Sequence, residues 1–158
     1  PLRDGAAKVL DTSAMTPGEL RDTLSSICSS PEARAELLTT IVSFGYKFGI
    51  PLDSDLVLDV RFLPNPHYVQ DLRAYTGNDR RVADFLESCE TTRRFFEHVE
   101  SFLRFLLPEF RKEGKSYLTI AVGCTGGRHR SVYAVNRVAE ILQSQGTNVR
   151  VQHRDVGR

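Results

Sequence analysis

The chain of 158 residues has few cysteines and no long apolar segment. Its three cysteines, Cys28, Cys89 and Cys124, form no Cys-x-x-Cys pair, which argues against a disulfide framework and a cysteine-based zinc site. No stretch approaches the roughly 18 apolar residues of a membrane span. No spacing of His, Asp and Glu is typical of a metal site. We therefore expect a cytoplasmic domain without a metal ion or membrane contact.

The sequence also lacks the Gly-x4-Gly-Lys-Ser/Thr pattern of a Walker A loop, so ATP or GTP binding through such a loop is not expected in it. Its first residues have no apolar core of a secretion signal. The first residue is Pro1 rather than Met. This start indicates a fragment of a longer chain, and we expect no cofactor in the fragment.

Charge is unevenly distributed along the chain. Residues 1–122 carry 15 Lys and Arg against 18 Asp and Glu, whereas residues 123–158 carry 6 against 2. The net charges of these segments are therefore −3 and +4. This asymmetry favours an anionic partner, although +4 is modest for a nucleic-acid-binding protein.

Hydrophobic periodicity predicts alternating strands and helices. Predicted strands are 6–11, 36–44, 55–63, 117–122 and 148–153. Predicted helices are 16–27, with a capping box of Thr16 and Glu19, then 79–107, ended by Pro108 and Gly114, and 131–145. This order indicates an α/β fold with a largely parallel sheet flanked by helices. We expect one domain at 31–158, and residues 1–30 to be the tail and linker of another.

A glycine-rich segment joins the buried strand 117–122 to the following helix. It contains Cys124, Thr125, Gly126, Gly127, Arg128, His129, Arg130 and Ser131. A helix N-terminus with glycines, hydroxyls and arginines favours a phosphate, because unpaired N–H groups and the helix dipole both attract anions. The alternative is a tight turn with surface arginines. The segment predicts an anion site, in which Arg130 forks onto phosphate oxygens.

The same segment has the Cys-x5-Arg spacing of cysteine-dependent phosphatases, with Cys124 as the thiolate nucleophile. That class usually has a histidine before the cysteine, where this chain has Gly123. It also needs a general-acid aspartate, for which Asp59 is the nearest candidate. This interpretation ranks below simple anion binding.

Two further groups carry candidate functional residues. Asn65 and His67 follow the strand 55–63, at the sheet edge where the glycine loop is expected, so both are candidate ligand contacts. The alternative is that Asn65 caps a turn and His67 is solvated. Near the C-terminus, Arg150, His153, Arg154 and Arg158 are candidate RNA contacts.

These motifs resemble the C-terminal domain of the RapZ/YvcJ family, the RNase adapters or nucleotide-binding proteins. The resemblance covers almost the whole chain, with residues 10–22 similar to the end of that family's N-terminal ATPase domain. The segments that carry it are 43–51, 59–67, 75–77, 116–122, 123–132 and 153–155.

The resemblance implies a regulatory domain, not an enzyme, with a fold like part of phosphofructokinase. It implies binding of an amino-sugar metabolite, either glucosamine-6-phosphate or UDP-N-acetylglucosamine, and places His67, Thr125, Gly126 and Arg130 at the ligand. ATP or GTP hydrolysis belongs to the family's N-terminal domain.

The resemblance also implies self-association into a homo-oligomer. In enterobacterial members, the domain presents small RNA to an endoribonuclease. Those members end in a basic cluster, whereas this chain ends at Asp155-Val156-Gly157-Arg158, which puts RNA binding in doubt. Arg130→Ala is expected to abolish metabolite binding and to leave the fold intact.

Overall fold

A computed structural model describes residues 9–28 and 37–158. The chain divides into two compact units, Pro1–Ala35 and Glu36–Arg158. In the first, helix α1 spans Pro17–Cys28, and the predicted capping box is confirmed. The Thr16 N–H donates to Glu19 Oε2 at 2.7 Å, and the Glu19 N–H donates to Thr16 Oγ1 at 3.3 Å.

Two predictions near the N-terminus reach beyond the described residues. Residues 9–11 are not in a strand, so the prediction of a strand at 6–11 is wrong for that part, and residues 6–8 lie outside the described ranges. The predicted boundary between residues 30 and 31 also lies outside them and stays a prediction.

The second unit is built on a sheet of four parallel strands. They are β1 (Leu38–Gly45), β2 (Leu56–Asp59), β3 (Tyr117–Cys124) and β4 (Val149–His153), in the order β2-β3-β1-β4. Every pair is parallel, so the carboxyl ends of the strands meet at the same edge. The predicted α/β class with a parallel sheet is confirmed.

Strand β2 is shorter than the predicted strand 55–63. It ends at Asp59, because the chain turns there and its polar groups bond locally. The Arg61 N–H donates to Asp59 Oδ1 at 2.9 Å, and the Leu63 N–H donates to the Val60 carbonyl at 3.3 Å. The turn carries the following residues to the carboxyl edge of the sheet.

The predicted long helix 79–107 is wrong in two respects. It is two helices, α2 (Arg80–Glu87) and α3 (Glu90–Glu113), and the second continues through Pro108 to Gly114. Arg93 stabilises the break, since its Nη1 donates to the carbonyls of Glu87 and Ser88 at the end of α2. Cys89 is the N-cap of α3 and is half-buried.

Helix α4 (Arg130–Ser144) completes the unit and packs against β1, β3 and β4. Its buried apolar residues join side chains of β1, β3, α2 and α3 in one hydrophobic core, which includes Ile41, Ile120, Val135 and Leu142. None of the helices in the described part of the chain is long and apolar enough to span a membrane.

The last residue of β1 allows the segment after β3 to pass directly beside it. A Cβ added to Gly45 would lie 2.7 Å from the backbone carbon of Gly126 and 2.9 Å from the nitrogen of Gly127. Such distances are shorter than van der Waals contact, so only glycine fits at position 45. The position of the glycine-rich segment after β3 therefore depends on a residue about 80 positions earlier in the chain.

We expect Gly45→Ala to lower the free energy of unfolding by about 1–3 kcal/mol, because the added methyl must displace backbone. Gly126→Ala is the matched control, since its added Cβ has no neighbour closer than 4.0 Å. It should change stability by no more than about 0.5 kcal/mol. Urea denaturation measures both, and equal stability of the two variants would contradict the close contact.

Candidate functional site

The glycine loop, residues 125–129, joins the end of β3 to the start of α4 at the carboxyl edge of the sheet. Gly127 has a φ of +74°, which favours glycine, and a Cβ there would lie 2.7 Å from the Gly45 nitrogen and 2.9 Å from Asp155 Cβ. His129 is the N-cap of α4, and its side chain makes no capping hydrogen bond. The loop therefore presents a helix N-terminus, whose dipole and free N–H groups attract anions.

Arg130 is buried, with 5% of its surface exposed, and is held by the protein itself. Its Nη1 donates to the carbonyls of Arg61 and Leu63, and its Nη2 donates to Thr125 Oγ1 at 3.3 Å. Its Nε has no hydrogen-bond partner. The Nη1 group is therefore not available for the predicted fork onto phosphate, and the Nε and Nη2 edge is what remains.

His129 and His67 lie close together beside the loop, with ring centroids 6.3 Å apart. His129 is 8% exposed, and its Nε2 has no hydrogen-bond partner. Burial lowers the pKa of His129, and the positive charge of Arg128 contributes to the decrease. His67 is exposed, and its Nε2 lies 3.1 Å from Nη2 of Arg73. The structure thus brings His67 to the loop, as the sequence predicted.

Arg128 is fixed to the segment before α2. Its Nη2 donates to the Ala74 carbonyl at 2.7 Å and its Nε to the Tyr75 carbonyl at 3.4 Å, while the Arg128 carbonyl accepts from the Gly77 N–H at 3.0 Å. These contacts position Arg73 and the end of the segment next to His129.

Cys124 and Ser131 lie on the inner side of the loop, away from solvent. Cys124 is 3% exposed and belongs to the hydrophobic core. Its Sγ lies 3.2 Å from Ser131 Oγ and accepts a hydrogen bond from the Gly127 N–H at 3.3 Å. This geometry gives the thiol a role in holding the loop.

Asn65 caps a short 3-10 turn at residues 66–68. Its Oδ1 accepts from the His67 N–H at 3.2 Å, which is the turn-capping alternative considered for it. Thr125 and Gly126 are at the surface of the loop, and Thr125 is exposed. Of the predicted ligand residues, the loop and His67 therefore form one site, and Asn65 orients the backbone of His67.

Three arginines bring positive charge to the loop, whereas Asp155, which packs against Gly127, is already paired with Arg154. Among the residues that the structure describes, no Asp or Glu oxygen lies within 4.0 Å of a side-chain nitrogen of Arg73, Arg128 or Arg130. Over the same residues, no cluster of His, Cys, Asp or Glu is suited to a metal ion. The guanidinium groups of these three arginines are therefore not neutralised by a direct ion pair with a described residue.

Several residues of this region were not singled out from the sequence. Arg73 contacts His67, Lys47 donates its N–H to the Thr125 carbonyl at 3.3 Å, and Arg61 gives its carbonyl to Arg130. Asp155 is fully buried and accepts from the Gly45 N–H at 2.9 Å. Burial alone would raise the Asp155 pKa, but hydrogen bonds from Arg154 and Gly45 outweigh it and lower the pKa. No local sequence pattern reveals these long-range contacts.

The four candidate RNA contacts differ in accessibility. Arg150 and Arg158 are exposed. Arg154 is bound to Asp155 and to the Gly49 carbonyl at 2.6 Å. His153 is half-buried, with its Nδ1 3.0 Å from Ser43 Oγ, and burial lowers its pKa. Arg158 is exposed but also has a partner, since its Nη1 lies 3.7 Å from Asp155 Oδ1. Three of the four side chains are thus engaged within the fold.

Two cavities lie among the helices. The larger lies between α2, α3 and α4, and the smaller lies between α2, α4 and the segment before α2. Their volumes are about 610 and 180 Å³. The larger is lined by three arginines and four glutamates, and Thr92 and Tyr133 also line it. This balance of charge gives the larger cavity no preference for an anion, unlike the glycine loop.

We expect Arg130→Ala to lower the free energy of unfolding by roughly 2–4 kcal/mol, because it leaves the carbonyls of Arg61 and Leu63 without their donor. The fold of this variant is still expected to remain intact, at a lower stability. Arg137→Ala is a matched control, since Arg137 is an exposed arginine of the same helix, paired with Glu140. Thermal unfolding of both variants checks this, and equal midpoints would contradict it.

Comparison with known proteins places the chain in a family. Residues 37–157 match the model of the RapZ C-terminal domain. A "nucleotide-binding protein" of Moorella thermoacetica is 52% identical over 157 residues, which are 99% of this chain and 52% of that protein. One of Desulforamulus reducens is 48% identical over 158 residues, 99% of this chain and 53% of that protein.

A third "nucleotide-binding protein", from Clostridium botulinum, is 46% identical over 156 residues, which are 98% of this chain and 53% of that protein. The chain therefore spans about half the length of the curated relatives it matches. The resemblance predicted from the motifs is confirmed: the chain belongs to the RapZ C-terminal domain family and is a regulatory domain of the RapZ type.

Proposed function

We propose that this domain senses a phosphate-bearing amino-sugar metabolite, glucosamine-6-phosphate or UDP-N-acetylglucosamine, at the N-terminus of α4. The observation that carries the proposal is a pair of buried nitrogens without partners, Arg130 Nε and His129 Nε2, on adjacent residues at that helix end. Buried polar groups are almost always hydrogen-bonded, so two neighbouring exceptions indicate a missing ligand. The nearby arginines without carboxylate partners favour an anionic one.

The geometry suggests a role for each ligand contact. Thr125 and unpaired N–H groups at the start of α4 would bind phosphate oxygens, together with the Nε and Nη2 edge of Arg130. His67 and Arg73 lie at the border of the loop, where they would meet the sugar or a second phosphate. Binding of the metabolite would not require ATP or GTP. We assign the binding of ATP or GTP to the part of the longer relatives that this chain does not cover.

We expect His67→Ala to weaken binding of glucosamine-6-phosphate about fivefold or more, because one hydrogen bond to the ligand is lost. His98→Ala is the matched control, since His98 is an exposed histidine on α3. Calorimetric titration of both variants, also with UDP-N-acetylglucosamine, measures the effect. If the folded wild-type domain shows no saturable binding of either metabolite, the proposed sensing function is refuted.

Anion affinity should increase as the pH falls from 7.5 to 5.5. Burial keeps the pKa of His129 below its ordinary value of 6.5, so the imidazole is neutral at pH 7.5. A bound anion favours the charged imidazolium, so binding takes up a proton, and affinity gains up to about tenfold per pH unit for each proton. Sulfate is the suitable probe because it does not titrate in this range. A flat pH profile would count against contact with His129.

RNA binding and presentation to an endoribonuclease is the alternative function. It is supported by the exposed Arg150 and Arg158, and weakened by the internal contacts of His153 and Arg154. Neutralisation of about two phosphates predicts a slope of log affinity against log salt near −1 to −2. Filter binding at several salt concentrations tests this, and a slope near −5 would favour the adapter.

Phosphatase chemistry is the least supported alternative, because Cys124 is buried and points into the core. An aryl phosphate should therefore not be hydrolysed, whereas turnover that is lost in Cys124→Ser would establish the enzyme.

We also propose self-association of the domain in the cytoplasm, which light scattering can measure.

A further inference from the structure

Two aromatic rings with their cations border the glycine loop on the side of β1. The 3-10 turn Tyr46–Phe48 directly follows β1. Arg61 Cζ lies 4.0 Å from the Tyr46 ring centroid, Lys47 Nζ lies 4.6 Å from that of Phe48, and Arg158 Cζ lies 5.2 Å from the same ring. Three cations thus lie over the two aromatic rings of this turn.

Arg61 forms a fixed, flat group on this surface. Its Nε and Nη2 donate to Asp59 Oδ2 at 2.9 and 2.6 Å, and the same hydrogen bonds lower the pKa of Asp59. Since the Arg61 side chain is 50% exposed, solvent reaches a guanidinium that is already held over Tyr46. Nucleobases stack on arginine guanidinium planes and on aromatic rings.

This surface is directly connected to the glycine loop. The N–H of Lys47 donates to the Thr125 carbonyl, and the Arg61 carbonyl accepts from Arg130 Nη1. A Cβ on Gly126 would lie 4.0 Å from Lys47 Cε. The turns that carry Tyr46, Lys47 and Arg61 are therefore in direct contact with the glycine loop and the start of α4.

We propose that Tyr46 and Arg61 form the base subsite of the ligand site, so that a nucleoside diphosphate derivative binds there more tightly than a simple sugar phosphate. This inference rests on the proposed anion site at the glycine loop. The base stacks on the Arg61–Tyr46 pair, the diphosphate lies on the loop, and Lys47 and Arg158 add positive charge beside it.

A similar pair on the other side of the loop provides an internal control. Arg81 Cζ lies 3.5 Å from the Tyr75 ring centroid, and Arg81 is held by Asp79 just as Arg61 is held by Asp59. The pair of Arg81 and Tyr75 lacks the second aromatic ring and the lysine that accompany the pair of Arg61 and Tyr46. We therefore assign the base to the pair at Arg61.

The test compares uridine 5′-diphosphate with inorganic pyrophosphate, which share the diphosphate and differ by the nucleoside. Calorimetric titration gives the ratio of their dissociation constants for the wild-type chain, for Arg61→Lys and for Arg81→Lys. Arg61→Lys keeps the positive charge and removes the planar guanidinium group on which a base could stack. Pyrophosphate affinity in each variant also reports whether the loop is intact.

We expect the wild-type chain to bind uridine 5′-diphosphate on the order of tenfold more tightly than pyrophosphate. Arg61→Lys should reduce that ratio to near one with pyrophosphate affinity unchanged, and Arg81→Lys should preserve it. Equal binding of the two probes, or a ratio that only Arg81→Lys reduces, would overturn the base subsite while leaving the anion site in place. If neither probe binds, both the base subsite and the anion site are overturned. If only pyrophosphate binds, the base subsite alone is refuted.

Discussion

The buried guanidinium of Arg130 is the contact on which the carboxyl edge of the sheet depends. It joins the start of α4 to the carbonyls of Arg61 and Leu63 after β2, and to the hydroxyl of Thr125 after β3. A buried charge is costly unless it is compensated. Here the compensation comes from carbonyl dipoles and one hydroxyl, so the positive charge at the helix end is stabilised in place.

The second constraint is the short distance between two backbones. The glycine loop passes beside Gly45 with no room for a side chain, and Asp155 closes the other side by accepting from the Gly45 N–H. The C-terminal segment, the end of β1 and the loop therefore form one packed layer. Asp155 also pairs with Arg154 and Arg158, so contacts link the loop to both of these arginines.

Local patterns in the sequence were sufficient for much of the fold. The capping box at Thr16, the buried strand β3 and the glycine loop before α4 were predicted because neighbouring residues determine them. The break between α2 and α3 was missed, since it depends on Arg93 bonding to the last carbonyls of α2. Pro108 was taken for a helix end, yet Leu103, Leu107 and Phe110 pack on both sides of it and continue α3.

The site shows the same division between local and long-range information. The proximity of the glycine loop and His67 could be predicted from their place after strands. The role of Arg130 in holding the backbone could not, because its acceptors are 67 and 69 residues away in sequence. The pairing of Arg61 with Tyr46 also joins two separate turns, which meet only because β1 and β2 both pair with β3.

The most direct test of the anion site is a titration of the ¹⁵N-labelled chain with inorganic phosphate, followed by heteronuclear NMR. The account predicts saturable shifts of the amides of residues 125–131 and of the Arg130 Nε–H, with no change around Thr92 and Tyr133 in the cavity between α2, α3 and α4. Shifts confined to that cavity, or no shifts at the loop at millimolar phosphate, would contradict it.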